Sequence, residues 1–370
     1  MTFVPSSSGR RRFLASSLGA ATAGLGFPAI AAGSLRGSGS VVVHFGGGTM
    51  GEAQRIAYSE PFEAETGIKV IHQPGVTAGV QRAATLAGAP KHDVANISGG
   101  SLSAFEREKL LLPIDYGHWE RADRDGYDIV PSAPLYVPAM LYSMVLAYDA
   151  QPYGRRKPDS WADLWNVKDF PGRRTLAAGA NAADGATYEI ALLADGVKPE
   201  NLYPLDWNRA LASLARLRAD IAKWWTKGAE SVQLLVDRQA SIGSAWNGRI
   251  DGANDEGARI AKSWNQGILQ WSAWAIPKGA PNVENAQKYI AFMSRPEAQA
   301  RFSEIITYGP TNSRAFRHIK ADRALQLPTA PAVKGKQIVQ DYAFWNAADA
   351  SGQNNLRRAI SEWERWVAAR

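Results

Sequence analysis

Gly46, Gly48 and Gly51 fall in the spacing G-x-G-x-x-G, directly after the apolar run Val41-Val42-Val43-His44-Phe45. Glycines so placed bring backbone N–H groups, with Thr49 in the same turn, to a helix start where an anion or polar ligand can be met. Alternatively, they only allow a tight turn. A dinucleotide site is not expected, because the next strand ends in His72-Gln73 and offers no acid to a ribose. A second turn, Ser98-Gly99-Gly100-Ser101, follows the run Asp93-Val94-Ala95-Asn96-Ile97. Groups for bond-breaking chemistry are missing. The histidines His44, His72, His92, His118 and His318 show no H-x-x-x-H or H-E-x-x-H spacing, and there is no cysteine. No G-x-S-x-G occurs, and the carboxylate pairs Glu63/Glu65 and Asp123/Asp125 stand in polar surroundings where solvation is the default. No catalytic residue, metal site or cofactor is expected.

The elements that carry these turns alternate. A strand over 41–45, a helix over 53–66, a strand over 67–71 and another over 93–97 argue for a parallel α/β sheet. Ligands in such sheets collect at the carboxyl ends of strands, where both glycine-rich turns lie. Tryptophans elsewhere read as core: Trp161 and Trp165 as helical neighbours, Trp224-Trp225 just before Thr226-Lys227-Gly228, Trp363 and Trp366 in a terminal helix over 355–369.

Arg10-Arg11-Arg12-Phe13-Leu14 opens the chain, followed by a weakly apolar Ala/Gly-rich stretch and Ala29-Ile30-Ala31. This resembles a twin-arginine (Tat) export signal with a small-x-small cleavage site, so residues 1–31 are expected to be removed and the mature chain to be periplasmic. Residues 32–39, rich in glycine and serine, read as a flexible leader. Loss of three arginines and no acid takes the net charge from +7 to 7 − 3 = +4. No run of five or six like charges is present, so no nucleic-acid partner is expected. The remaining stretch of about 340 residues is long enough for two lobes.

Five segments, in order, resemble periplasmic solute-binding proteins of ABC importers: Phe62-Glu63-Ala64-Glu65-Thr66-Gly67-Ile68-Lys69-Val70, Ser160-Trp161-Ala162-Asp163-Leu164-Trp165, Ala245-Trp246-Asn247-Gly248, Ala275-Ile276-Pro277-Lys278-Gly279-Ala280 and Tyr308-Gly309-Pro310-Thr311-Asn312. The spermidine/putrescine-binding branch is the nearest in pattern. The resemblance implies a two-lobed type II periplasmic-binding α/β fold, each lobe a mixed sheet flanked by helices. By analogy one lobe holds 40–145 with 274–318 and the other 146–273 with 319–370. Crossovers at 142–149 and 271–276 would act as hinges, and a small-molecule solute would sit between the lobes. The expected partner is a membrane permease, and a monomer is expected.

The same resemblance places Gly46, Thr49, Ser98, Ser101, Asp184, Trp246, Arg249, Trp271, Ser272 and Tyr308 at the cleft. Polyamine-binding relatives need carboxylates for ammonium groups and aromatics for methylenes. Here the turn aromatics are replaced by Gly46-Gly47-Gly48, a further aromatic by Gly100, one acid by Ser272, and two acids by Ala183 and Ala186, leaving Asp184 one position away. The set is neutral to cationic. Arg249 can clamp a carboxylate bidentately, or else be a surface residue paired with Asp251 or Glu256. A zwitterionic or carboxylated organic solute is therefore expected ahead of a true polyamine, with a secreted hydrolase as the remaining alternative.

Overall fold

The computed structural model describes residues 35–128 and 130–369. The signal peptide read over 1–31 lies outside them. Ten strands carry the architecture: β1 (Ser40–Phe45), β2 (Lys69–Pro74), β3 (Ala95–Ser98), β4 (Leu111–Leu112), β5 (Val137–Asp149), β6 (Arg174–Ala177), β7 (Ile221–Trp225), β8 (Ile242–Trp246), β9 (Ile260–Pro277) and β10 (Ile338–Val339). β1 is made of three consecutive valines, a β-branched run suited to a buried strand, and it pairs in parallel with β2. The helix Glu60–Thr66 between them ends on Gly67 at φ 79, a left-handed cap that glycine adopts without a Cβ penalty.

The larger sheet runs β10-β9-β5-β8-β6-β7, with β3 and β4 also on β9. Parallel and antiparallel pairs are mixed: β6 lies parallel to β7 and β8, whereas β5 and β9 are antiparallel along most of their length. The segments 142–149 and 271–276 lie within these two long strands. Their ladder is interrupted between Met144 and Leu146, opposite the stretch of β9 in which Gln266 takes φ 58.

Among the described residues two large hydrophobic cores form around this framework, beside a small cluster of Ala300, Ala315, Ile319 and Leu327. One packs Val41, Phe62, Ile68, Trp274, Ile290 and Phe302. The other packs Leu141, Trp161, Leu176, Tyr188, Trp225, Ile242 and Trp345. Each fully buried side chain of this size contributes roughly 1.5–3 kcal/mol of transfer free energy. Trp363 and Trp366 on the terminal helix Asn355–Ala368 meet Trp224 edge-on, with centroids at 5.1 and 5.8 Å. The fold is thus a two-lobed mixed α/β arrangement.

Residues 35–39, read in the sequence as part of a leader, are tied to the first core. Leu35 is buried, the Gly37 amide donates to the Thr66 carbonyl at 3.0 Å, and Lys69 N–H donates to Gly39 O at 2.9 Å. An apolar residue with a surface to bury overrides a flexible composition.

Candidate ligand-binding cleft

A cleft of about 930 Å³ opens at the carboxyl ends of β1, β3 and β8. β8 delivers Trp246, and the helix Asn247–Asp255 starts at the next residue. Asn247 bolts this corner in place. Its Oδ1 accepts from the Ser143 amide of β5 at 2.8 Å, and its Nδ2 donates to the Thr307 carbonyl at 2.6 Å. Trp246 and Arg249 are thereby brought beside Tyr308. A Cβ on Gly248 would collide with the Tyr308 ring, so only glycine permits this approach.

Aromatic rings make one wall. Tyr142 meets Trp246 edge-on with centroids at 6.5 Å and Tyr308 at 6.0 Å, while fully buried Trp225 backs Trp246 at 5.5 Å. β3 and β9 supply hydroxyls, because Ser98 stands directly opposite Ser272 in the ladder. Ser98 Oγ donates to Ser101 Oγ at 3.0 Å. Among the described residues the buried atoms Asn96 Nδ2, Ser272 Oγ, Thr307 Oγ1 and Asp251 Oδ2 have no hydrogen-bond partner, and all four residues line the cleft. Orphaned polar atoms of this kind cost stability unless a ligand or water satisfies them.

The charges oppose one another. Arg249 is exposed to the cleft and makes no ion pair or hydrogen bond among the described residues. Asp251, which the sequence offered as its partner, is bonded instead to Lys262 of β9. Asp184 also opens on the cleft, with protein around it on its other sides. Its side chain is exposed to solvent in the open cleft, and the protein packed around it raises its carboxyl from 3.8 to about 6 by desolvation. His44, beside the first glycine turn, is pushed down to about 4 by burial and then by His92, so it brings no positive charge at neutral pH.

Eight of the ten residues expected at the site line this cleft: Gly46, Thr49, Ser98, Asp184, Trp246, Arg249, Ser272 and Tyr308. Ser101 touches it only through Ser98. Trp271 does not face it. Side chains alternate along a strand, so with Gln270 and Ser272 turned one way Trp271 turns the other, packing on Tyr136 and Tyr342 at 5.8 and 5.4 Å. The glycine motif has a steric explanation: Gly47 and Gly48 take φ 68 and 49, and a Cβ on Gly51 would overlap the Phe45 ring. Tyr142, Asn96, Thr307 and His44 were not singled out as site residues from the sequence. Only the register of β3 and β5 against β9 could have pointed to Asn96 and Tyr142.

If an ammonium binds at Asp184, it requires the ionised carboxylate. A carboxyl raised to about 6 is mostly protonated below that pH, so affinity for an ammonium ligand should hold above pH 6. Below it, affinity should fall by up to about tenfold per unit. Asp184→Asn should abolish the slope; calorimetry that gives a flat wild-type profile down to pH 4.5 would count against this role.

A two-lobed α/β fold with a polar, aromatic-walled cleft at its strand ends is that of a binding receptor. Residues 57–329 match the bacterial extracellular solute-binding protein family, to which the chain belongs. It is 38% identical over 316 residues to the gamma-aminobutyric acid-binding protein of Pseudomonas aeruginosa, covering 82% of this chain and 86% of that one. An ABC transporter substrate-binding protein from Bradyrhizobium japonicum superposes with TM-score 0.81 at 35% identity, covering 89% of this chain and 99% of the other. The periplasmic binding protein AgtB of A. tumefaciens R10, solved with agropinic acid, superposes with TM-score 0.74 at 30% identity and the same coverages. The chain is a solute-binding receptor of an ABC importer, which captures a small organic solute for a membrane permease.

Proposed function

We propose that the solute is a small zwitterion of the 4-aminobutyrate class, with its carboxylate on Arg249, its ammonium on Asp184 and its methylenes against Trp246, Tyr142 and Tyr308. The observation that carries this reading is a guanidinium with no ion pair or hydrogen bond among the described residues in the same aromatic cleft as the Asp184 carboxylate. Ser98, Ser272, Asn96 and Thr307 add hydrogen bonds. The names of the two relatives above, one a gamma-aminobutyric acid-binding protein and one bound to agropinic acid, support a carboxylated ligand.

A polyamine is disfavoured. Ala183, Ala186 and Ser272 stand where acids would be needed, and each missing charge-assisted hydrogen bond removes roughly 1.5 to 3 kcal/mol. Catalysis is disfavoured as well: the Ser98 hydroxyl is hydrogen-bonded to Ser101 and not to a histidine or carboxylate that could activate it. The lobes are 40–145 with 274–318 and 146–273 with 319–370, and the solute closes them as a monomer by bending at β5 and β9. One core draws on 35–140 and 274–306 alone, while the other spans the division, taking Ala95, Ile97 and Phe105 together with Trp161 and Trp225.

Calorimetry with 4-aminobutyrate and with spermidine tests the ligand class. Tight binding of the former and a smaller radius of gyration at saturation are expected; tight spermidine binding with none of 4-aminobutyrate would overturn the reading. Export is assigned to the twin-arginine segment with cleavage after Ala31. Replacing Arg10, Arg11 and Arg12 with lysine should leave precursor in the cytoplasm, and normal periplasmic accumulation would sink that assignment.

A further inference from the structure

Asp184 sits on a single helical turn, Ala182–Gly185, that begins with and is capped by alanines at positive φ: Ala182 at φ 46 and Ala186 at φ 51. A Cβ makes such backbone costly, so it persists only where its surroundings hold it. Two buried glutamines do the holding. Gln340 Nε2 donates to the Ala183 carbonyl at 2.7 Å, and Gln270 Nε2 donates to the carbonyls of Ala183 and Asp184 at 3.0 and 3.2 Å.

The opposite end of the Gln270 amide reaches the other wall of the cleft. Its Oε1 accepts from Trp246 Nε1 at 2.8 Å. An indole N–H only donates and a carbonyl only accepts, so the amide has one possible orientation. Gln270 Nε2 also donates to Gln340 Oε1 at 3.0 Å, and Gln340 Nε2 donates to Glu189 Oε1 at 2.9 Å. Glu189 Oε1 is further fixed by Trp345 Nε1 at 2.8 Å and the Tyr203 hydroxyl at 2.9 Å. Gln270, Gln340 and Glu189 are at most 2% exposed. Each amide's direction therefore follows from the next along the chain from Glu189 to Trp246.

We infer that Gln270 is the positioning residue of the cleft, setting the Trp246 indole and the Asp184 turn at a fixed separation, with Gln340 and Glu189 as its support. The inference rests on the reading of Trp246 and Asp184 as ligand-contacting groups. Removing the amide releases both at once: the indole loses its acceptor, and the strained turn loses two hydrogen bonds from one donor group. No other side chain given a hydrogen bond in the described structure bonds both to Trp246 and to the Asp184 turn.

Gln270→Leu tests this, with Gln270→Glu as a second variant that keeps length and the indole acceptor but loses the amide donor. Three quantities are measured: 4-aminobutyrate affinity, the Asp184 carboxyl titration by NMR without ligand, and the Trp246 indole N–H resonance. Gln270→Leu should weaken 4-aminobutyrate at least tenfold, move the Asp184 midpoint and shift the indole signal. Gln270→Glu should move the Asp184 midpoint and leave the indole signal in place, as should Gln340→Leu. Leu214→Ala, in the same core but outside the network, should lower the melting temperature and move neither resonance. Folded Gln270 variants with both resonances unmoved and affinity within twofold of wild type would overturn the proposal. If wild type fails to bind 4-aminobutyrate, the ligand reading fails separately, and the two ligand-free resonances decide the positioning role.

Discussion

Arg249→Ala should weaken 4-aminobutyrate binding by about 30- to 5,000-fold, roughly 2 to 5 kcal/mol. The guanidinium is uncommitted in the open cleft, its sequence neighbour Asp251 being held by Lys262. A carboxylate seated against it and then sealed from water by lobe closure would lose that cationic partner and remain buried. Arg249→Lys should fall between the two, because an ammonium keeps the charge but not the planar two-pronged geometry. Unchanged affinity in Arg249→Ala, measured by calorimetry, would remove the carboxylate from this position.

Trp225→Ala should destabilise the fold by about 3 to 5 kcal/mol, the range for truncating a large buried aromatic. Trp225 is 0% exposed, and its indole N–H donates to the Ser244 carbonyl at 3.1 Å, so its loss leaves a cavity and removes that hydrogen bond. Urea unfolding should show a lowered midpoint at an unchanged slope. Because Trp225 backs Trp246 edge-on, the variant should also bind solute less tightly. A midpoint within error of wild type would show that the cavity collapses or that Trp225 is not the support described.

Much of the fold was legible in order along the chain. The alternation of valine-rich strands with glycine turns and helices marks an α/β sheet, and the five matched segments mark the two-lobed receptor. Trp246 was legible because it lies in one such segment, Arg249 because it directly follows that segment, and Asp184 because it stands beside a position where relatives carry an acid. Trp271 misled. The family resemblance placed it at the cleft, but strand alternation turns it inward toward Tyr136 and Tyr342.

Gln270 carried one faint signal, a lone amide within the run Ile268-Leu269-Gln270-Trp271. Its partners could not be read, since Trp246, Ala183 and Gln340 come from three distant parts of the chain.

Local patterns determine what each segment becomes: which residues extend, where a glycine must take a left-handed turn, and which anchoring acids a polyamine would not find. Only the tertiary structure decides which cation a given acid engages, as Asp251 engages Lys262 and not Arg249, how far the surrounding cleft lifts Asp184, and which hydroxyls lack partners. Those properties depend on the dielectric and on neighbours brought together by β-sheet register. Ion pairing and desolvation act over a few ångströms of space, whereas sequence motifs record only separation along the chain.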